Sequence, residues 1–164
     1  MTATYEKIAT TTLGSTASDI TFSSISGSYT DIVLSLNHSS SSTTGLVYLE
    51  FNSDSTNNNY SNTRLVADSG GSSSDRSNGA NNVNQRFISW ARTQWTTTLV
   101  NFQNYSNSTT FKTPLIRNSN ASGQVSTAVI LWRNTNAITQ IKIVNQSTTF
   151  AVGTMATLYG IKAE

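Results

Sequence analysis

Apolar residues at every second position, in short runs broken by clusters of Ser, Asn and Gly, most narrow the folds open to this chain. Side chains alternate faces along a strand and repeat every 3.6 residues along a helix, so this pattern describes half-buried antiparallel strands. In residues 30–36, Ile32, Leu34 and Leu36 share one face, and Asp31, Val33 and Ser35 share the other. Residues 46–51 place Val47, Leu49 and Phe51 together. Residues 124–133 set Val125, Thr127, Val129 and Leu131 against Ser126, Ala128, Ile130 and Trp132. Both of those faces are apolar at the centre, which predicts a strand deep in a sheet and covered on both sides. Residues 138–144 oppose Ile141 and Ile143 to Gln140 and Lys142, and residues 155–161 gather Met155, Tyr159 and Ile161 on one side, so both read as one-sided strands.

Weaker runs at 5–13, 20–22, 60–66, 85–90, 96–105 and 111–117 bring the total to about ten strands, enough for two packed sheets. The fold class expected is all-β, an antiparallel β-sandwich in a single domain over 1–164. Pro114, the only proline, lacks a backbone donor, so its run belongs to an edge, a bulge or a loop. Residues 39–44 and 68–82 read as polar loops, with Gly70, Gly71 and the Asn78-Gly79 pair supplying positions that tolerate positive φ. Neither flank of 68–82 could form a core alone, so no domain boundary falls there. No internal repeat recurs at a fixed period.

Charged residues make up 11% of the chain against a usual value of about 25%, and 70 of its 164 residues are Ser, Thr or Asn. Leu, Ile, Val and Phe reach roughly 22%, just above the level of about 20% at which chains tend to stay unfolded, which predicts a folded protein with a lean core. The absence of cysteine excludes disulfides, thiolate metal sites and cysteine nucleophiles, and one histidine cannot build a multi-histidine metal centre. The pI of about 9.0 rests on a net charge of only +2, with Lys and Arg scattered, so nucleic acid is not an expected partner. No run approaches the roughly 18 apolar residues of a membrane span, and residues 1–13 lack a basic start followed by an apolar run. A soluble chain without membrane partner or secretion address is expected.

Catalytic candidates are few. His38 falls at a strand end before the serines at 39–42 and reads as a surface or strand-end residue. Asp31, Glu50, Asp54, Asp68 and Asp75 read as solvated loop acids, since nothing in the sequence pairs two of them as a glycosidase would. The oxygen-rich stretches 54–59 and 68–75 could attract calcium, but their spacing matches no EF-hand and they read as turns capping their own backbone. Sequons at Asn59, Asn104, Asn107, Asn120 and Asn145 are expected by chance in such a composition and read as unglycosylated. The expectation is a protein that is not an enzyme and has no cofactor or metal.

The most binding-like segment is RFISWARTQW at 86–95, which gathers Arg86, Trp90, Arg92 and Trp95, residue types that dominate interface hot spots. Strand alternation puts Arg86, Ile88, Trp90 and Arg92 on one face with Phe87 and Trp95 on the other, whereas helical spacing aligns Phe87, Ala91 and Trp95. Core packing and a ligand or subunit contact both remain open. Tyr60 and Tyr105 complete the set of candidate contact residues for a protein or a glycan.

Three segments carry a resemblance: TYEKIATTTLGSTASDITFSSISGSYTDIVLSL at 4–36, FNSDSTNNNYSNTRL at 51–65 and LYGIKAE at 158–164. They resemble virion structural proteins of tailed bacteriophages, particularly cyanophages, where similar sequences occur alone or as β-rich modules of fibre and head-surface proteins. The match in order and spacing spans the chain, although 70–120 carries no motif of that family. Two positions depart from it: the usual proline after the Ser-Ser-Ile step is Ser26, and the glycine before the central Asp is Ser53. The resemblance implies a jelly-roll-like sandwich, made in the host bacterial cytoplasm and assembled as a ring or trimer on the virion surface.

Without a collagen-like or coiled-coil shaft, a chain of this length fits a capsid decoration or cement protein better than a whole fibre. Such a protein binds the major capsid protein or other virion proteins, buries area across capsomer joints and gains avidity from many copies. The alternative is a tail-fibre or head-fibre receptor-binding module, with Trp90, Trp95, Tyr60 or Tyr105 stacking on a host glycan. That alternative needs an aromatic facing solvent in a groove. Decoration needs the aromatics in the core or at protein joints, and a hydrolase needs two carboxylates within about 10 Å across a cleft.

Overall fold

A computed structural model describes residues 5–78 and 83–162, and it is built of strands. They are β1 (Tyr5–Thr12), β2 (Asp19–Phe22), β3 (Asp31–His38), β4 (Leu46–Phe51), β5 (Tyr60–Asp68), β6 (Gly71–Asn78), β7 (Phe87–Trp90), β8 (Thr96–Gln103), β9 (Leu115–Asn120), β10 (Val125–Trp132), β11 (Ile141–Asn145) and β12 (Met155–Ile161). Short 3₁₀ turns at Asn57–Asn59 and Val83–Arg86 precede β5 and β7. An eight-stranded antiparallel sheet ordered β1-β12-β3-β8-β9-β10-β5-β6 packs on a four-stranded one ordered β2-β11-β4-β7. The chain is therefore an all-β sandwich.

Strands β1 to β4 alternate between the two sheets, and β7, β8, β11 and β12 do so again, a jelly-roll-like connectivity. The hairpins β5–β6 and β9–β10 add strands to the large sheet alone. That sheet consequently extends well beyond the original four strands of its layer.

Between the sheets lie the fully buried Ile32, Leu34 and Leu36 of β3, Val47, Leu49 and Phe51 of β4, Ile141 and Ile143 of β11, and Ile130 and Trp132 of β10. Phe51 sits at the aromatic centre, with ring centroids 5.5 Å from Trp132, 5.8 Å from Phe102 and 5.9 Å from Tyr60. The turn after β4 locks this cluster in place. Trp132 Nε1 donates to Asp54 Oδ2 at 2.8 Å, and Tyr60 donates its hydroxyl to the Asp54 carbonyl at 2.9 Å. Within that turn Asn52 and Ser53 have φ of +52° and +60°, and Asp54 N donates to the Phe51 carbonyl. Paired left-handed residues suit a tight two-residue hairpin turn in which glycine is favoured second. Ser53 thus stands in a left-handed conformation that glycine adopts more readily.

Two sequence expectations need correction, that 68–82 is a loop throughout and that both faces of 124–133 are covered. Residues 71–78, GSSSDRSN, form β6 rather than a loop. They contain no apolar residue, so no alternation marks them, and the strand exists because β5 runs on to Asp68 and offers its backbone for pairing from Ser61↔Asn78 to Asp68↔Gly71. The rest of that stretch, 79–82 with its Gly79 turn position, lies outside the described residues. Strand β12 keeps Met155, Tyr159 and Ile161 on one face, as expected; that face is the outer one, and Ala156 and Leu158 turn to the core. Gly160 shares the core face, where a Cβ would collide with the Tyr29 ring. Residues Phe87–Trp90 form β7 after the 3₁₀ turn Val83–Arg86, in keeping with the strand expected at 85–90, and 91–95 form neither helix nor strand. Strand β10 is central, as expected, but only one of its faces is covered.

Candidate functional site

The uncovered face of β10 belongs to a wide apolar surface on the outer side of the large sheet. Val125 and Val129 of β10 are 53% and 41% exposed, Leu115 of β9 is 42% and Leu65 of β5 is 57%. Strand register brings them together: Val129 pairs with Leu115 on one side and Thr63 on the other, while Thr127 lies between Arg117 and Leu65. One residue along in each strand, Ile116, Ala128 and Ile130 are buried against the small sheet. Contiguous exposed apolar area of this kind marks interaction surfaces in soluble proteins, because covering it is favourable by about 25 cal/mol per Å².

A groove of about 770 Å³ is lined by Leu65, Ala67, Val125, Thr127, Arg117 and the serines 72–74 of β6. A smaller one of about 260 Å³ continues over Thr97, Leu99 and Ser119. Arg117 and Asn118 line both, so together they cross β8, β9, β10, β5 and β6. Neither lining holds an aromatic ring or a carboxylate. Among the described residues the Arg117 guanidinium has no hydrogen-bond or ion-pair partner.

The residues singled out in the sequence lie elsewhere. Tyr60 and Tyr105 are fully buried, and Arg86 is 3% exposed, so none of the three offers a contact surface, a correction of their place among the candidates. Arg86 Nη1 donates to Glu50 Oε1 at 2.6 Å, its Nε and Nη2 donate to Asn57 Oδ1 at 3.1 and 2.8 Å, and its guanidinium stacks over Tyr48 at 4.5 Å. The arginine is thereby consumed in joining β4 to the turn before β7. Trp90 is half-buried beside Phe87, with the Arg64 guanidinium 5.0 Å and the Arg92 guanidinium 5.7 Å from its ring. Arg92 is half-buried as well. Trp95 alone of the candidate aromatics is open, at 45% exposure, beside Gly153 and the exposed Val152. It lines neither groove.

His38 ends β3, which bears out the strand-end reading over the surface one, and it is fully buried. Its Nε2 lies 2.9 Å from Ser89 Oγ, its ring meets Phe150 edge-on, and its Nδ1 has no partner. Burial pushes its pKa down to about 4, so the imidazole is neutral at physiological pH. Ser89 is equally buried, so the pair has no route to a substrate.

The acids are dispersed as well. Glu50 holds Arg86, Asp75 holds Arg64 at 2.6 Å, Asp68 accepts from Gly70 N and Asp31 accepts from Asn104 N. Burial raises the Asp54 pKa, but hydrogen bonds from Trp132, Asn59 and Thr56 outweigh it and hold the carboxyl below its ordinary value. Among the described residues no three of His, Cys, Asp and Glu cluster as metal ligands would.

Sequence reasoning passed over Leu65, Leu115 and Arg117. The available signal was the two-sided apolarity of 124–133, whose second cover was assigned to the chain itself. No family model matches this chain, and no curated protein matches it significantly.

Proposed function

We propose that this protein is a structural component of a phage virion, a decoration or cement protein that binds the outer shell and stabilises joints between capsomers. The observation that carries the reading is the exposed apolar face formed by Leu65, Leu115, Val125 and Val129. A groove without aromatics lacks the stacking platform a sugar needs, and without carboxylates it lacks an acid and base for hydrolysis. It retains what protein contacts need, an apolar centre with a polar rim. The resemblance of 4–36, 51–65 and 158–164 to phage virion proteins supplies the setting, and with it a homotrimer on the particle surface.

One observation favours the host-recognition alternative: Trp95 stands exposed beside Val152 and could stack on a glycan. Immunogold electron microscopy separates the two, using an antibody raised against the recombinant protein and purified virions of phages that encode this sequence. Gold over the icosahedral shell is the expected result. Gold confined to tail or fibre tips transfers the function to host recognition, and unlabelled virions overturn both readings.

A further inference from the structure

We propose that the groove on the outer face takes an extended acidic and apolar segment of a different protein, with Arg117 pairing to one of its carboxylates. This rests on the docking role given above to the same face, and it names the chemistry of the partner. Docking covers Arg117, which lies where the two grooves meet and has no partner among the described residues. A guanidinium taken out of water without a counter-charge is strongly unfavourable, so the occupant must bring an anion. A carboxylate matches its planar fork with two parallel hydrogen bonds. Arg76 adds a second cation: it pairs with Thr63 on β6, two residues beyond Ser74, so alternation puts it on the groove's side of the sheet.

The rest of the lining, Leu65, Ala67, Val125 and Leu99, calls for apolar side chains between the acids. Crossing five strands spans four inter-strand spacings, about 19 Å, which an extended segment covers with about six residues. An occupant lying across the strands also differs from one that adds a strand to an edge.

A second copy of this chain fits poorly. Pairing this face with itself joins two surfaces that both carry Arg117 and Arg76, and neither groove lining supplies a carboxylate to meet them. The chain's acids are largely committed: Glu50 to Arg86, Asp75 to Arg64 and Glu6 to Lys162. Self-association must use another surface.

The test uses ¹⁵N-labelled full-length protein and two heptapeptide probes with Ser at every second position, the positions between alternating Val and Glu in one and Val and Lys in the other, so that both side-chain types share one face of the extended peptide. The Val/Glu peptide is expected to shift amides of β5, β8, β9 and β10 and to bind at least tenfold more tightly than the Val/Lys peptide. Arg117→Glu should reverse that preference, Arg117→Lys should retain most of it, and unchanged shifts elsewhere report an intact fold. Equal binding of both peptides, shifts centred on Trp95, no binding of either, or an indifferent Arg117→Glu variant would each overturn the inference. A parallel assay of labelled protein on virions separates this from the parent reading. Wild type and Arg117→Glu binding equally well defeats the groove chemistry alone, whereas failure of wild type to bind defeats the virion role and leaves the peptides to decide the inference.

Discussion

Along β9 and β10, neighbouring residues of the same chemical kind meet opposite fates. Ile116, Ala128 and Ile130 vanish between the sheets, while Leu115 and Val129, each one residue away, face solvent together with Val125. Folding uses the first set. The second set gains nothing from the fold, and its apolar area is available to a partner. The contrast follows from topology, because the two inserted hairpins widen the large sheet and no element of the described chain crosses back over its outer side.

If the inner face carries stability and the outer face carries association, substitutions should separate accordingly. Trp132→Ala removes ring contacts with Phe51 and Tyr60 and the hydrogen bond to Asp54, so urea denaturation should show a loss of about 3–5 kcal/mol. Glu50→Ala strands the buried Arg86 guanidinium and should cost about 3 kcal/mol in the same assay. Glu50→Gln, which still accepts a hydrogen bond, should cost less.

Acid provides a probe of the inner face without mutation. The folded pKa of His38, about 4, lies below the unfolded value of 6.5, so on acidification the unfolded chain takes up the proton first. The stability that depends on neutral His38 is fully present above about pH 6.5 and lost as pH falls to about 4, on the order of 3 kcal/mol in all. Denaturation midpoints measured between pH 7 and pH 4 should fall in wild type, and the fall should flatten in His38→Gln. The smallest effect belongs to the outer face: Val129→Ser or Leu65→Ser should change stability by no more than about 0.5 kcal/mol. Outer substitutions that destabilise as much as Trp132→Ala would break the comparison.

The strands were legible where the signal was local. Alternation in 30–36, 46–51 and 124–133 reports which residues can share a face, and two-sheet packing follows from the number of such runs. Strand β6 was hidden because its backbone pairing is dictated by β5 and its side chains add nothing. The open face of β10 was hidden for a different reason: apolar residues on both sides of a strand show that cover is needed, not which molecule provides it. Arg86 illustrates the same limit, since its composition suggested a contact residue while its partners Glu50 and Asn57 lie 36 and 29 positions away. The burial of His38 was hidden because one polar residue at a strand end says nothing about the Phe150 ring and Ser89 hydroxyl packed on it.

Side-chain footprinting with hydroxyl radicals, comparing free protein with protein on purified virions, addresses the division between the two faces most directly. Leu65, Leu115, Val125 and Val129 should label readily in the free protein and lose most of that reactivity on the particle, while Ile130 and Trp132 stay unlabelled in both. Outer-face residues that label equally in both states would contradict the assignment of that face to docking.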